Sequence, residues 1–367
     1  MQTDVAIIGA GLSGLYSAYL LQKLNIDYTI FEARDRIGGR IISMPLAAQE
    51  NTSTPDDRYD LGPSWFWPDM HGHMMQLVAN LGLKTFPQYQ SGAHLFDRGH
   101  HQSPQRYELG FANSPQSMRL AGGMYSLIEA LANHIDKNKV LLNSRVTAIG
   151  KNNDVTVHFH QDEGEEISRT FSHIITAMPP RLLIKSIRFN PALPDSLYHR
   201  FSETVTWMAA HAKFVAVYPN AFWRQQGLAG SASSQSGPLV EIHDASTIDG
   251  HAALFGFIGL NAAARKTAGR EALITHCVNQ LSRLFGPEAT KPEQAFLIDW
   301  SEEGYTATEQ DHTGATSHPV YGLPEEMGNL WQGKLLFAGS ELANADGGYL
   351  EGALNAAHRA VALLTSK

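Results

Sequence analysis

The start of the chain alternates between short apolar runs and one stretch with helical spacing. The segment TDVAIIGAG is an apolar run that ends in glycines, LSGLYSAYLLQKL repeats apolar residues at helical spacing, and DYTIFEA is a second apolar run. Short apolar runs are typical of buried strands, whereas the repeat of every three to four residues is typical of a helix with one buried face. The pattern therefore predicts a strand, a helix and a second strand, which together form a βαβ unit.

The rest of the chain shows two further groups of apolar runs. Strands are predicted in KVLLNSRVTAIGKNNDVTVHFH, FSHIITAMP and KLLFAGSE, and strands of a separate sheet in HAKFVAVY, GPLVEIHD and ALFGFIGL. Helical spacing recurs in GGMYSLIEALANHI, around Cys277, and from Gly347-Gly348 onward, where we expect the last helix to begin. Residues 43–60 and 91–117 are rich in polar and turn-forming residues, and we expect them to be loops.

The composition is that of a globular protein with a large core. The chain has 367 residues, of which 43% are hydrophobic and 17% charged, and a chain of this length is expected to form two packed domains. Its 28 basic and 36 acidic residues give a net charge of -8, which disfavours nucleic acid and anionic lipid as partners.

Neither a membrane span nor a disulfide is expected. No apolar run approaches the roughly 18 residues of a spanning helix, and Asp4 stands where a signal peptide would be basic. We therefore expect a cytoplasmic protein. Cys277 is the only cysteine, and its helical apolar surroundings predict a buried thiol.

Gly9, Gly11 and Gly14 form a G-x-G-x-x-G motif between the first predicted strand and helix. The first glycine would permit a tight turn, the second would let a pyrophosphate approach the backbone, and the third would let the helix pack on the strand. Glu32 ends the next strand, at the spacing of a carboxylate that binds an adenosine ribose. The motif predicts a dinucleotide-binding unit rather than an ordinary glycine turn.

A second glycine motif follows at once in the segment EARDRIGGR. The pair Gly38-Gly39 and three arginines would bring a second backbone segment and guanidinium charge to the same pyrophosphate. A nicotinamide enzyme has no need of this second segment, and an arginine-rich surface loop would leave the glycine pair unexplained. The motif therefore favours FAD as the dinucleotide.

Five segments of the chain together resemble the flavin monoamine oxidase family. They are EARDRIGGR, DLGPSW, RLAGGMYSLIEALA, AFWR and LLFAGSELANADGGYLEGALNAAHRA. The resemblance runs in order over residues 3–67, 118–224 and 295–364, and it is weak over 70–117.

The resemblance implies an α/β fold with two domains. One would be a Rossmann-like FAD-binding domain of the glutathione-reductase class, and the other a mixed-sheet substrate domain. The FAD-binding domain would comprise residues 1–65, 118–180 and 325–367, and the substrate domain residues 66–117 and 181–324.

The family's FAD contacts carry over to matching positions of this sequence. Residues of both glycine motifs and one later strand would hold the ADP part: Gly9, Gly11, Ser13, Gly14, Glu32, Ala33, Arg34, Gly38, Gly39, Arg40 and Val146. Residues of later segments would also bind FAD, several of them beside the isoalloxazine: Gly62, Pro63, Ser64, Trp65, Trp300, Gly339, Glu341, Gly348 and Leu350. Members with covalent flavin carry a cysteine shortly after the Trp300 motif. Since this sequence has none there, the resemblance implies non-covalent FAD.

Tyr349 matches a tyrosine that forms one wall of an aromatic cage in the family and guides a neutral amine to flavin N5. The local sequence alone is equally consistent with a core aromatic at the start of a helix. By spacing from Trp300, the opposite wall of the cage falls near Gln310, and Tyr305 or His312 are the aromatic alternatives.

The family's lysine, which holds a water at flavin N5, aligns at about Thr247 in HDASTIDG. Lys213 is the nearest other lysine, but it matches a different family position, on a strand. Tyr349, Trp300 and Thr247 are therefore the candidate catalytic positions. The missing lysine leaves open whether oxygen is the electron acceptor.

Four histidines, His71, His73, His100 and His101, lie in or near the poorly matched region. Because no cysteine or suitably spaced acid accompanies them, we interpret them as solvated loop histidines and predict no metal ion.

The resemblance implies oxidation of an amine C–N bond by hydride transfer to flavin N5, followed by imine hydrolysis. A small-molecule amine would be the substrate, and oxygen or another compound the electron acceptor. Two alternatives remain open. One is a flavin desaturase or dehydrogenase that acts on C–C bonds with a non-oxygen acceptor, which the missing lysine and the short segment 88–117 favour. The other is a non-catalytic flavin-binding partner protein.

Overall fold

The computed structural model describes residues 4–46, 57–99, 102–108, 115–162, 164–248, 250–314 and 317–366. The strands of this part of the chain are β1 (Asp4–Ile8), β2 (Asp27–Phe31), β3 (Ser43–Pro45), β4 (Arg58–Asp60), β5 (Thr85–Pro87), β6 (Ala93–Asp97), β7 (Gln105–Tyr107), β8 (Met118–Leu120), β9 (Val140–Leu141), β10 (Ser144–Lys151), β11 (Val155–Gln161), β12 (Glu166–Phe171), β13 (His173–Thr176), β14 (Arg188–Asn190), β15 (Ala212–Tyr218), β16 (Leu228–Ser234), β17 (Leu239–Asp244), β18 (Ala252–Ile258), β19 (Gln294–Asp299) and β20 (Leu335–Phe337). The α-helices are α1 (Leu12–Lys23), α2 (Gly72–Asn80), α3 (Tyr125–Asn133), α4 (Pro180–Ser186), α5 (Asp195–Glu203), α6 (Phe222–Gln225), α7 (Ala262–Ala268), α8 (Arg270–Phe285) and α9 (Leu350–Thr365).

A five-stranded parallel sheet forms the centre of the first unit, with the strand order β20-β13-β1-β2-β9. Alternate side chains of β1 point to opposite faces, as a strand requires. Val5 and Ile7 pack with helices α1, α3 and α9, whereas Ala6 and Ile8 pack toward a four-stranded sheet of order β12-β11-β10-β14. The parallel sheet is therefore covered on both faces, which explains its continuous apolar runs.

A seven-stranded mixed sheet forms the second unit, with the order β19-β15-β18-β17-β16-β6-β7. One face is covered by helix α8, where Cys277 is fully buried as the sequence predicts. The strands predicted from HAKFVAVY, GPLVEIHD and ALFGFIGL are β15, β17 and β18 of this sheet. Its other face turns toward the parallel sheet and bounds the functional cavity described below.

The predicted mixed α/β fold with more than one sheet is confirmed. Its assignment to the glutathione-reductase class, and the two sets of domain boundaries, stay predictions. Among the described residues, no helix combines the length and the apolar character needed to cross a membrane.

Two local predictions from the sequence are wrong. The described parts of 43–60 and 91–117 contain paired strands, because β3 pairs with β4 and β6 joins the seven-stranded sheet beside β16. These strands are three to five residues long, too short for their apolar pattern to stand out against polar neighbours. The last helix begins at Leu350 and not at Gly347-Gly348, since Gly348 has φ of +82° and Tyr349 is extended.

Candidate functional site

A large cavity of about 1210 Å³ lies between the carboxyl ends of β1 and β2 and the inner face of the seven-stranded sheet. Ile8 and Phe31 line it from the parallel sheet, and Lys213, Phe255 and Phe257 line it from the mixed sheet. Pockets for small ligands are usually about 300–1,000 Å³. This cavity therefore has room for a dinucleotide together with a small substrate.

The two glycine motifs meet at one end of the cavity, which is called the nucleotide end below. Gly9 has φ of +105° and donates its N–H to Phe31 O at 2.8 Å. Gly38 donates to Ala10 O at 2.8 Å, and a Cβ on Gly39 would lie 3.2 Å from Gly11 Cα. The backbones of the two segments are thus in direct contact, and a side chain at Gly39 would crowd the surface that they offer to a phosphate.

The Glu32 carboxylate is fixed beside this glycine surface. It is buried, and it accepts the N–H of Ala10 at 2.7 Å on Oε2 and the N–H of Arg34 at 2.9 Å on Oε1. These backbone bonds hold the carboxylate at the cavity wall, where further lone pairs remain for a ribose hydroxyl.

Arg40 is held against the cavity by a buried acid. Its Nη1 lies 2.5 Å from Oε1 of Glu341 and its Nη2 3.1 Å from Oε2, a bidentate pair. Burial alone would raise the pKa of Glu341, but the Arg40 charge and the hydrogen bonds hold it below its usual value. Glu341 is therefore ionised at neutral pH and orients Arg40.

Most predicted site residues line this cavity. They are Gly9, Gly11, Ser13, Glu32, Ala33, Arg34, Gly38, Gly39, Arg40, Gly62, Pro63, Ser64, Trp65, Val146, Trp300, Gly339, Gly348, Tyr349 and Leu350. Three others lie elsewhere. Glu341 lies behind Arg40, and Gly14 packs α1 on the glycine turn, where an added Cβ would lie 1.9 Å from Gly9 O.

Thr247 is not brought to the cavity. Its hydroxyl donates to Asp57 Oδ1 at 2.7 Å, in a separate cluster that also contains His251. The position at which spacing placed the family's lysine is therefore not part of the described cavity wall.

Lys213 occupies the cavity instead. It projects from the inner face of β15, it is only 3% exposed, and it donates to Gly62 O at 3.0 Å and to Ser64 Oγ at 2.7 Å. Its Nζ lies 4.1 Å from the centre of the Phe255 ring. Burial lowers the pKa of Lys213 from 10.5 to about 7.

Tyr349 also lines the cavity, among other rings, and the part of the cavity lined by Tyr349 and Lys213 is called the substrate end below. Trp67 meets it edge to face at 6.1 Å between ring centres, and His318 stacks on it at 4.9 Å with the planes 5° apart. Trp207 lies 6.4 Å away. Tyr349 is therefore part of an aromatic wall, as expected for a cage, but its stacking partner is His318.

The positions predicted for the second cage wall lie apart from Tyr349. Gln310 is exposed and does not line the cavity. Tyr305 packs beside Arg34 at 5.5 Å, at the nucleotide end, and His312 is fixed by Ser301 O at 3.2 Å.

The interpretation of His71 as a solvated loop histidine is wrong. It is 2% exposed, lines the cavity 6.0 Å from Tyr349, and has a pKa that burial lowers. His73 bonds Glu351 at 3.0 Å, while His100 and His101 lie outside the described residues. Over the described ranges, no group of three His, Cys, Asp or Glu side chains is arranged to hold a metal ion.

The nucleotide end fits the ADP part of FAD. Arg34 lines it, and its Nε is buried without a hydrogen-bond partner among the described residues. Away from the nucleotide end, beside Tyr349, the first N–H groups of α9, at Leu350 and after, have no partner within the helix and lie beside the same cavity. A bound dinucleotide would supply acceptors for these donors.

The sequence assigned no role in the site to five residues that line the substrate end: Trp67, His71, Trp207, Lys213 and Glu241. One feature of the sequence could have identified Lys213. Lys213 is the only charged residue in the strand AKFVAVY, all of whose residues are buried, and a charge at such a position is usually functional.

Known proteins share both the sequence pattern and the fold. The family described as flavin containing amine oxidoreductase matches residues 12–116 and 107–365. "Probable flavin-containing monoamine oxidase A" of Dictyostelium discoideum is 24% identical over 97% of this chain and 96% of its own length. The structure of putrescine oxidase bound to putrescine has 21% identity and a TM-score of 0.79 over 100% of both chains. Cyclohexylamine oxidase from Brevibacterium oxydans has 21% identity and a TM-score of 0.77, over 99% of this chain and 98% of that one. The protein belongs to the flavin-containing amine oxidoreductase family and is, like its other members, an FAD-dependent enzyme.

Proposed function

We propose that the protein oxidises the C–N bond of a small-molecule amine, and that the resulting imine is hydrolysed to a carbonyl compound. Bound FAD would take up two electrons and a proton from the α-carbon, by hydride transfer to N5, and would pass the electrons to oxygen or another acceptor. The proposal rests on one observation: a single cavity reaches from the two glycine motifs to Tyr349 and Lys213.

The aromatic wall would bind and orient the amine. Tyr349, Trp67 and Trp207 present ring surfaces at the substrate end of the cavity, beside Gly348 and Leu350. Such surfaces favour an amine with an apolar body, and they exclude water from the carbon that reacts.

Lys213 would remove the proton that an amine carries in water. An alkylammonium has no lone pair with which to form the C=N bond, so it must be deprotonated before oxidation. A neutral lysine has two N–H donors, which match the two acceptors at Gly62 O and Ser64 Oγ. Its lone pair is then free to take the substrate's proton at Nζ, and a pKa of about 7 suits this exchange.

The alternative of C–C bond oxidation rested partly on a missing lysine. Since Lys213 lines the cavity, that argument loses its force. The short 88–117 segment alone does not favour one substrate class over another.

Anaerobic reduction of the holoprotein tests the proposal. Amines, amino acids, polyamines and a cyclic alkene would be added separately, the flavin absorbance near 450 nm followed, and air then admitted. We expect bleaching by amines and recovery of the colour in air. A flavin that stays oxidised with every amine would refute the proposal, and bleaching by the alkene alone would favour the desaturase.

A further inference from the structure

The cavity contains few negative charges. Among the described residues that line it, only Glu32 and Glu241 carry carboxylates. Glu32 lies at the nucleotide end, where both of its oxygens accept backbone N–H groups. Glu241 is therefore the one carboxylate at the substrate end of the described cavity wall.

The register of the mixed sheet fixes where Glu241 lies. Glu241 on β17 is directly opposite Phe257 on β18, and Phe257 is opposite Lys213 on β15. Directly opposed residues of antiparallel strands share one face of the sheet. Lys213 and Glu241 thus lie on the cavity face with one aromatic residue between them. Two strand spacings separate their backbones by about 10 Å.

A histidine orients Glu241. Oε1 of Glu241 lies 2.6 Å from His243 Nε2, and His243 packs edge to face on Trp65 at 4.8 Å. This contact lowers the pKa of Glu241, which keeps the carboxylate ionised at neutral pH. Its other oxygen, Oε2, has no hydrogen-bond partner among the described residues and is available to a ligand.

Apart from its partner His243, the basic groups near Glu241 do not offset its charge. His94, the next histidine on this side of the sheet, is fixed between Ser231 Oγ at 2.9 Å and Ser233 Oγ at 3.2 Å. Burial lowers its pKa, so it is neutral at pH 7. Lys213 is directed the other way, toward Gly62 and Ser64.

We propose that Glu241 binds a second ammonium group of the substrate, and hence that the preferred substrates are α,ω-diamines or longer polyamines. This inference rests on the proposed amine oxidation, with the reacting nitrogen beside Lys213. The ring of Phe257 lies between the two ends and would contact the methylene chain. The spacing across the sheet suits two nitrogens on the order of 6–9 Å apart.

A pair of isosteric substrates tests this assignment. In 1,5-diaminopentane a terminal ammonium replaces the terminal methyl group of hexylamine, so the two differ only in the second charge. We expect the ratio of kcat/KM for diamine over monoamine to exceed one in the parent enzyme. Glu241→Gln should lower this ratio about five- to tenfold, the range for a partly exposed charged hydrogen bond.

A matched control is available on another sheet. Glu166 on β12 also pairs with a histidine, His158, at 3.5 Å, is similarly exposed, and does not line the cavity. Glu166→Gln should leave the ratio unchanged. If Glu241→Gln lowers kcat/KM equally for both substrates, the carboxylate only attracts amines in general, and the inference is wrong.

Equilibrium binding separates this inference from the proposed function. The dissociation constants of both compounds would be measured by calorimetry on anaerobic, oxidised holoprotein. Tighter binding of the diamine that is lost in Glu241→Gln, without any turnover, would support the second-ammonium site and refute amine oxidation. Turnover of both compounds with equal dissociation constants and equal kcat/KM would support amine oxidation and overturn the site.

Discussion

The substitution Lys213→Met should change the pH dependence of the protein's stability and should impair catalysis. Lys213 is 3% exposed, and burial lowers its pKa from 10.5 to about 7. At about 1.36 kcal/mol per pH unit, holding the ammonium form in this position costs about 5 kcal/mol. Methionine has a similar shape and no charge, so it avoids this cost. It loses two hydrogen bonds, to Gly62 O and Ser64 Oγ, and leaving those buried acceptors unpaired costs about 1–3 kcal/mol each.

The pH dependence of the free energy of unfolding can be predicted more sharply than its net change at one pH. The folded-state pKa lies below the unfolded value, so between about pH 7 and 10.5 the folded protein binds fewer protons than the unfolded chain. The parent protein's free energy of unfolding therefore gains from Lys213 as the pH rises through this window, and the full cost applies below about pH 7. From pH 7 to 9 the gain amounts to about 2 kcal/mol. Lys213→Met should lack this contribution.

Urea unfolding of FAD-saturated protein at pH 6.5, 8 and 9.5 measures the effect. The difference in free energy of unfolding, variant minus parent, should fall by about 3 kcal/mol over this range, because other titrating groups cancel. Lys151→Met, a substitution in β10 outside the cavity, should show no such trend. A difference for Lys213→Met that stays constant with pH would refute the argument.

The same variant tests the proposed proton transfer. In the parent enzyme, kcat/KM for an amine should rise with pH through an apparent pKa near 7, as neutral Lys213 becomes available. In Lys213→Met this limb should be absent and kcat/KM should follow the pKa of the free amine. A limb near pH 7 that persists in the variant would assign the titration to a group other than Lys213 and would refute the proposed proton transfer.

Three further predictions concern FAD and the residues expected to bind it. Acid precipitation should release FAD into the supernatant, because Cys277, the only cysteine, is buried on α8 away from the cavity; flavin retained in the pellet would contradict this. Glu341→Gln should lower the free energy of unfolding by about 3–5 kcal/mol, as judged by urea denaturation, because the charge of Arg40 loses its buried partner. Gly39→Ala should weaken FAD binding in a fluorescence titration far more than Gly82→Ala does. Both glycines have positive φ, but only Gly39 faces another backbone.

The nucleotide end of the cavity could be predicted because it is encoded in consecutive residues. Gly9 and Gly11 act through their own backbone, and Glu32 is set at the end of the strand that follows. Such features require only local geometry, which a strand–turn–helix pattern already specifies. In the structure these three residues lie on one surface of the cavity, as expected from the sequence.

The substrate end could not be predicted in the same way, because it depends on strand register. Spacing from neighbouring motifs placed the lysine at Thr247, in the connection between β17 and β18. The chain turns that residue toward Asp57, while Lys213 reaches the cavity from two strands along the sheet. Sequence spacing does not reveal which residues of separate strands are opposed, since a shift by one residue reverses the face.

The nucleotide end and the substrate end of the cavity differ in how they tolerate substitution. The glycine surface is made of backbone, and an added Cβ would lie 2.8 Å from Ala177 O at Gly9 and 3.2 Å from Gly11 Cα at Gly39, so we expect substitutions there to disturb FAD binding. The opposite wall is one face of a sheet whose other face is secured by α8, as in the packing of Phe214 and Leu254 around Cys277. An exposed side chain on the cavity face, such as that of Glu241, can therefore be exchanged without removing core contacts, whereas Phe255 belongs to a hydrophobic cluster on that face. Specificity for the length and charge of an amine is accordingly free to vary while the cofactor site stays fixed.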